Sequence, residues 1–139
     1  MPHQFHRVRY ADLNGRQQES YNFQKASAVL ADFGFVTMRL SDDWRGADFI
    51  AQHVDGITFL RVQLKGRLTF DKKYQDRDIH ICFPYDGHWF IYPHDELLPL
   101  ALSITDFSCT DSWTTGGAYS FPRLSRRLRE LLEPYRLQI

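Results

Sequence analysis

The stretch Gly46-Ala47-Asp48-Phe49-Ile50-Ala51-Gln52-His53-Val54-Asp55-Gly56-Ile57-Thr58-Phe59-Leu60-Arg61-Val62-Gln63-Leu64-Lys65-Gly66-Arg67 decides the fold. Two alternating runs flank Asp55-Gly56, a dipeptide that strongly favours a two-residue hairpin turn. If Val54 and Ile57 close that turn, the register sets Asp48 directly opposite Gln63. Period-two alternation then puts Phe49, Ala51, Leu60, Val62 and Leu64 on one face and Asp48, Arg61, Gln63, Lys65 and Arg67 on the other. The first set is a core face. The second gathers a carboxylate, a carboxamide and an ammonium, because directly opposed Cβ atoms lie about 5 Å apart.

Working toward the N-terminus, residues 1–11 alternate weakly and read as a short edge strand or an ordered arm. Asp12 suits an N-cap, and Leu13 to Phe33 reads as a long helix ended by Gly34. Its apolar stripe is Phe23, Ala26, Leu30 and Phe33, and Glu19 falls on that stripe one turn before Phe23. Two uses compete for Glu19: a carboxylate aimed at the polar face of the hairpin, or an exposed acid favoured by the helix dipole. Phe35 to Leu40 reads as a strand, and Ser41 to Ala47 as a loop that delivers the chain to Asp48. Trp44 beside Arg45 suits stacking on a base or ribose, and equally suits covering an edge of the core.

Toward the C-terminus, Leu68 to Phe70 continues the second strand, and Asp71 to Asp78 is a charged connection. Ile79 to Tyr85 and His88 to Tyr92 form a second hairpin around Asp86-Gly87, with Pro84 marking an edge or a bulge. Pro93 to Leu98 turns into a short helix. Thr105 to Tyr119 reads as a long loop carrying exposed aromatics, and Phe121 to Tyr135 as a helix with Leu124, Leu128, Leu131 and Tyr135 on one stripe. The sum is a single α/β domain over residues 1–139, a mixed sheet with flanking helices.

Composition narrows the function. Hydrophobic content of 43% is globular, and no apolar run approaches membrane-spanning length. The N-terminus lacks the apolar core of a signal peptide, so a cytoplasmic protein without membrane contact is expected. Cys82 and Cys109 form no CxxC pattern and read as reduced thiols. A net charge of zero excludes a protein that coats nucleic acid by bulk attraction. The charge is nevertheless clustered: Arg61, Lys65, Arg67, Lys72, Lys73 and Arg77 in one run, and Arg123, Arg126, Arg127 and Arg129 in another. Such stripes on a neutral protein suit local phosphate contacts, and a merely solvated surface nearly as well. The six histidines show no zinc spacing, and Gly116-Gly117 lacks the context of a phosphate loop.

Asp48 on one strand and Gln63-Leu64-Lys65 on the next resemble the PD-(D/E)XK nuclease superfamily, in which an acid and an acid-x-Lys hold Mg²⁺ and orient a water against a phosphodiester. Ala47 stands where the motif has Pro and Gln63 where it has the second acid. Over residues 13–74 the chain is also similar to a family of bacterial proteins of uncharacterised activity. The nuclease resemblance implies a restriction-endonuclease-like fold and Mg- or Mn-dependent hydrolysis of DNA. It implies metal ligands at Asp48, Gln63, the Leu64 carbonyl and Glu19, with Lys65 catalytic. Arg61, Arg67, Lys72, Lys73, Trp44 and Arg45 are the implied nucleic-acid contacts, and a homodimer the implied assembly. The alternative within the same resemblance is a catalytically inactive scaffold that binds nucleic acid or protein. The family's helix after the acid-x-Lys strand has no room between Asp71 and Asp78, so the helix near Asp95 or the C-terminal one must cover that face.

Overall fold

The structure, a computed structural model, describes residues 4–44 and 46–138, without the side chains of Asp43 and Trp44. Among these residues six strands form one mixed sheet in the order β1 (Phe35–Trp44), β2 (Ala47–His53), β3 (Phe59–Leu64), β5 (Ile79–Tyr85), β6 (His88–Pro93) and β8 (Arg136–Leu137), and β4 (Leu68–Asp71) and β7 (Ala118–Phe121) pair separately. Residues 4–9 carry no regular structure, and Tyr10–Asp12 is a single 3-10 turn. Helix α1 spans Gly15–Asp32. It starts later than Asp12 implied, because Asp12 pairs with Arg9 at 3.0 Å while Asn14 and Gln17 form a reciprocal capping box. Gly34 ends it with φ +86, a conformation that favours glycine.

Strands β1 (Phe35–Trp44), β2 (Ala47–His53) and β3 (Phe59–Leu64) form an antiparallel meander. The β2–β3 register is the expected one, Phe49 opposite Val62 and Ala51 opposite Leu60. Its turn is not. The His53 N–H donates to Thr58 O at 2.8 Å, so the loop holds residues 54–57, fastened by Asp55, whose carboxylate accepts from the Ile57 and Thr58 N–H groups at 2.8 Å each. The expected loop at Ser41–Ala47 is also corrected: β1 continues to Trp44 and pairs again with Ala47, with an irregularity between Arg39 and Trp44.

Residues 68–70 do not extend β3. The chain leaves the sheet at Lys65-Gly66-Arg67 and forms β4 (Leu68–Asp71), paired with β7 (Ala118–Phe121). A 3-10 turn at Lys72–Tyr74 then leads into β5 (Ile79–Tyr85), which lies parallel to β3. Parallel neighbours require a crossover, usually a helix; here a short strand and a 3-10 turn serve. Strand β6 (His88–Pro93) returns through the expected two-residue turn, with Tyr85 opposite His88 and positive φ at both Asp86 and Gly87. Helix α2 (His94–Ile104), α3 (Asp111–Thr114), α4 (Arg126–Leu132) and β8 (Arg136–Leu137) complete the chain.

Each face of the sheet has its own core. On one, α1 sets Ala26 and Leu30 against Phe49, Ala51, Val62 and Cys82, with Phe23 edge-on to Phe49 at 5.1 Å between centroids. On the other, Ile79, Ile81, Phe83 and Tyr92 meet Leu97 and Ala101 of α2 and Leu128 and Leu132 of α4. The late helices therefore cover the second face, as the missing crossover helix required. The loop with exposed aromatics is a correction: Phe107 is 2% and Trp113 8% exposed, and both belong to this core. So is the C-terminal helix, which begins only at Arg126 behind a Ser125 cap, because Phe121 ends a strand. Its pattern misled because Phe121, Leu124 and Leu128 all serve the same core.

Candidate active site

The β2–β3 ladder runs from Gln52↔Phe59 to Phe49↔Val62. In an antiparallel pair, mutually bonded positions recur every two residues, so the next would join Ala47 and Leu64. There the Leu64 N–H donates instead to Asp48 Oδ2 at 2.8 Å. A side chain takes the bond of a ladder that has forked. On the far side of β3, the Lys65 N–H donates to Cys82 O at 2.9 Å. Backbone groups along a strand alternate in direction, so Leu64 directs both its N–H and its carbonyl toward β2 and the fork. On the other flank of β2, the β1 ladder is irregular past Arg39↔Phe49. Both interruptions fall beside Asp48.

The fork opens a cavity of about 390 Å³ lined by Glu19, Asn22, Phe23, Arg39, Asp48, Gln63, Leu64 and Lys65 among others. A second cavity, about 420 Å³, shares Asp48, Gln63 and Lys65 and adds Gly46, Lys73, Tyr74 and Arg77. Asp48, Gln63 and Lys65 are thus the wall common to both. Lys65 is partly buried, and its ammonium lies 5.5 Å from the centre of the Tyr74 ring. Burial pushes its pKa below 10.5, and the neighbouring Lys73 pushes the same way, against Asp71 and Asp48.

Glu19 reaches the first cavity but is not a core residue. Its side chain is 73% exposed, with Oε2 4.0 Å from the Arg39 guanidinium, which also donates to Ser20 Oγ at 3.2 Å. The oxygen donors present are the Asp48 carboxylate, the Gln63 amide, the Leu64 carbonyl and the largely exposed Glu19. These are hard ligands that match the preference of Mg²⁺. Among the described residues, however, no three His, Cys, Asp or Glu side chains cluster to hold a metal. The donor set fits a weakly held, largely hydrated hard cation and does not fit zinc.

The other sequence candidates separate. Lys73 lines the second cavity. Arg61, Arg67 and Lys72 line neither: Arg61 turns to Asp78 at 3.1 Å, Arg67 is exposed, and Lys72 lies over the Trp113 ring at 5.0 Å. The Trp44 side chain and Arg45 lie outside the described residues. Sequence reasoning missed Asn22, Arg39, Tyr74 and Arg77. Arg39 was within reach, since a β1–β2 hairpin register sets it opposite Phe49, next to Asp48. Arg77 had no signal that set it apart from its charged neighbours.

No described helix is long and apolar enough to cross a membrane. Among known proteins, no family model matches the chain and no curated protein matches its sequence. The fold is similar to that of a solved structure, a bacterial homing endonuclease, I-Ssp6803I, at a TM-score of 0.51 and 14% identity, over 88% of this chain and 86% of that one. The chain shares the mixed α/β fold of that endonuclease.

Proposed function

We propose that the protein is a metal-dependent nuclease of the PD-(D/E)XK type that hydrolyses phosphodiester bonds of DNA. The observation that carries this is the fork at Asp48, which brings Asp48, Gln63, the Leu64 carbonyl and Lys65 to one cavity. That a nuclease shares the fold adds support. Asp48, Gln63 and the Leu64 carbonyl would hold Mg²⁺ or Mn²⁺, with Glu19 approaching from α1. The ion supplies a more acidic water and neutralises phosphoryl charge. The Lys65 ammonium then faces the non-bridging oxygens, where negative charge grows as water adds to phosphorus and one P–O ester bond breaks. The proton from water leaves with the departing oxygen. Partial burial makes this ammonium more effective, because a charge away from bulk water is less screened. The Leu64 N–H fixes Asp48 in place, so its position is set before substrate arrives.

A specific observation also favours the scaffold reading, in which nucleic acid is bound and not cut: Gln63 is neutral and no three-residue cluster of metal-ligating side chains is present among the described residues. Incubation of supercoiled and linear duplex DNA with Mg²⁺ or Mn²⁺ separates the two. The nuclease reading expects cleavage that disappears in Asp48→Ala and Lys65→Ala while circular dichroism is unchanged. Salt-dependent binding with no cleavage in any divalent metal would overturn it in favour of the scaffold.

A further inference from the structure

The second cavity contains more cationic charge than a single scissile phosphate requires. Lys65, Lys73 and Arg77 all line it. Tyr74, 1% exposed, is the organising residue. Its ring packs against Gly46, where an added Cβ would lie 3.1 Å from Tyr74 Cδ1. The same ring has the Lys65 ammonium 5.5 Å and the Lys73 ammonium 5.2 Å from its centre. The segment 71–76, which carries Lys73 and leads directly into Arg77, is fastened at both ends by one pair of side chains. Buried His94 accepts the Asp71 N–H on Nε2 at 3.1 Å, so its other nitrogen carries the proton toward Asp95 Oδ1 at 3.0 Å. Asp95 in turn accepts the Asp76 N–H on Oδ2 at 2.8 Å. Asp76 and Asp78, on either side of Arg77, sit at φ 61 and φ 56, a left-handed backbone that Asp enters more readily than most residues. Arg77 is therefore presented from a fixed loop.

We propose that Lys73 and Arg77 form an anion subsite that holds a second backbone phosphate of the nucleic acid, next to the phosphate facing Lys65. The site grips a dinucleotide step. The inference rests on the nuclease reading and names how its substrate is positioned. Charge supports it: each phosphodiester brings one negative charge, and Asp71, 3.8 Å from Lys73, only partly offsets the cations. The mutual repulsion of Lys65 and Lys73 is relieved when anions occupy both lobes. Arg77 offers the planar fork that matches phosphate oxygens, and Lys73 a point charge beside it.

The test is equilibrium binding of a short DNA duplex in EDTA as a function of salt, so that no cleavage is needed. Lys73→Gln and Arg77→Gln should each weaken binding several-fold and lower the salt slope by about one. Arg9→Gln, whose guanidinium pairs with Asp12 at 3.0 Å and lines neither cavity, should change neither. A duplex series with one uncharged methylphosphonate at each position should contain one position that weakens wild type and has no further effect in Arg77→Gln. Wild-type slopes in both variants, or a methylphosphonate penalty undiminished in Arg77→Gln, would overturn the subsite. A wild type that cleaves DNA while both variants bind normally refutes the subsite alone. A wild type that cuts nothing, while both variants lose slope as expected, refutes the nuclease reading alone.

Discussion

Hairpin β5–β6 closes on Asp86-Gly87, with Tyr85 opposite His88, and stays paired to His80↔Pro93. Hairpin β2–β3 also turns at an Asp-Gly, but through a longer loop, and its ladder stops at Phe49↔Val62. The first buries Ile81, Phe83, Phe90 and Tyr92 in the larger core and leaves no fork. The second yields its next backbone bond to the Asp48 carboxylate and opens two cavities around Asp48, Gln63 and Lys65. Pairing is given up beside the polar cavity and kept in the core. A sheet loses ladder bonds where polar groups must face a cavity, and completes them where side chains only pack.

The complete hairpin is the more sensitive of the two to loss of a core side chain. Phe83, fully buried and stacked on Phe90 at 5.3 Å, should cost about 3–5 kcal/mol on replacement by Ala, read by denaturant unfolding. A loss below about 1 kcal/mol would mean that β5–β6 is not the structural hairpin. In the forked hairpin the large effect moves to activity. Asp48→Ala should lower cleavage by about 10²-fold or more, while loss of its bond to Leu64 costs only about 1–3 kcal/mol of stability.

Lys65→Met sharpens the contrast, because it should abolish cleavage without lowering stability at neutral pH. The folded protein holds this ammonium less readily than the unfolded chain, whose lysine titrates near 10.5. Between the lowered folded value and 10.5 the unfolded chain therefore binds more protons, and wild-type stability rises with pH. Thermal melts across the alkaline range should show that slope in wild type and lose its Lys65 component in the Met variant. The smallest effect lies at the loop of the forked hairpin. The Thr58 and Ile57 N–H groups, then the Thr58 hydroxyl, hold Asp55 down from 3.8 to about 2. Its contribution is complete above 3.8 and fades as pH falls through about 2, so Asp55→Ala should flatten the acid limb of the melting profile without affecting DNA cleavage.

The sequence showed both hairpin registers, because Phe49, Ala51 and Val62 in one and Ile81 and Phe83 in the other must reach a core, and a one-residue slip would expose them. The departure of β4 was not visible: Leu68 and Phe70 continue the apolar pattern of β3, and only their partners in β7 show that they belong to another sheet. That Asp48, Gln63 and Lys65 meet beside one cavity followed from register, and their proposed roles from the nuclease resemblance. Glu19 followed from helical phase, which set its direction but not its exposure. Arg61 looked equivalent to Lys65 by alternation, yet it sits where Asp78 meets it. Arg77 and Tyr74 depend on the His94–Asp95 anchor, a tertiary arrangement that local pattern does not encode.

We propose that the forked ladder holds a metal through a neutral Gln63, and calorimetric titration with Mn²⁺ is the direct test of it. Wild type should bind weakly, Gln63→Glu more tightly because it adds a charge beside Asp48, and Asp48→Ala should give no binding heat. Absence of Mn²⁺ binding in both wild type and Gln63→Glu, with the Glu variant destabilised by about 0.2–1 kcal/mol from like charges across the ladder, would contradict it.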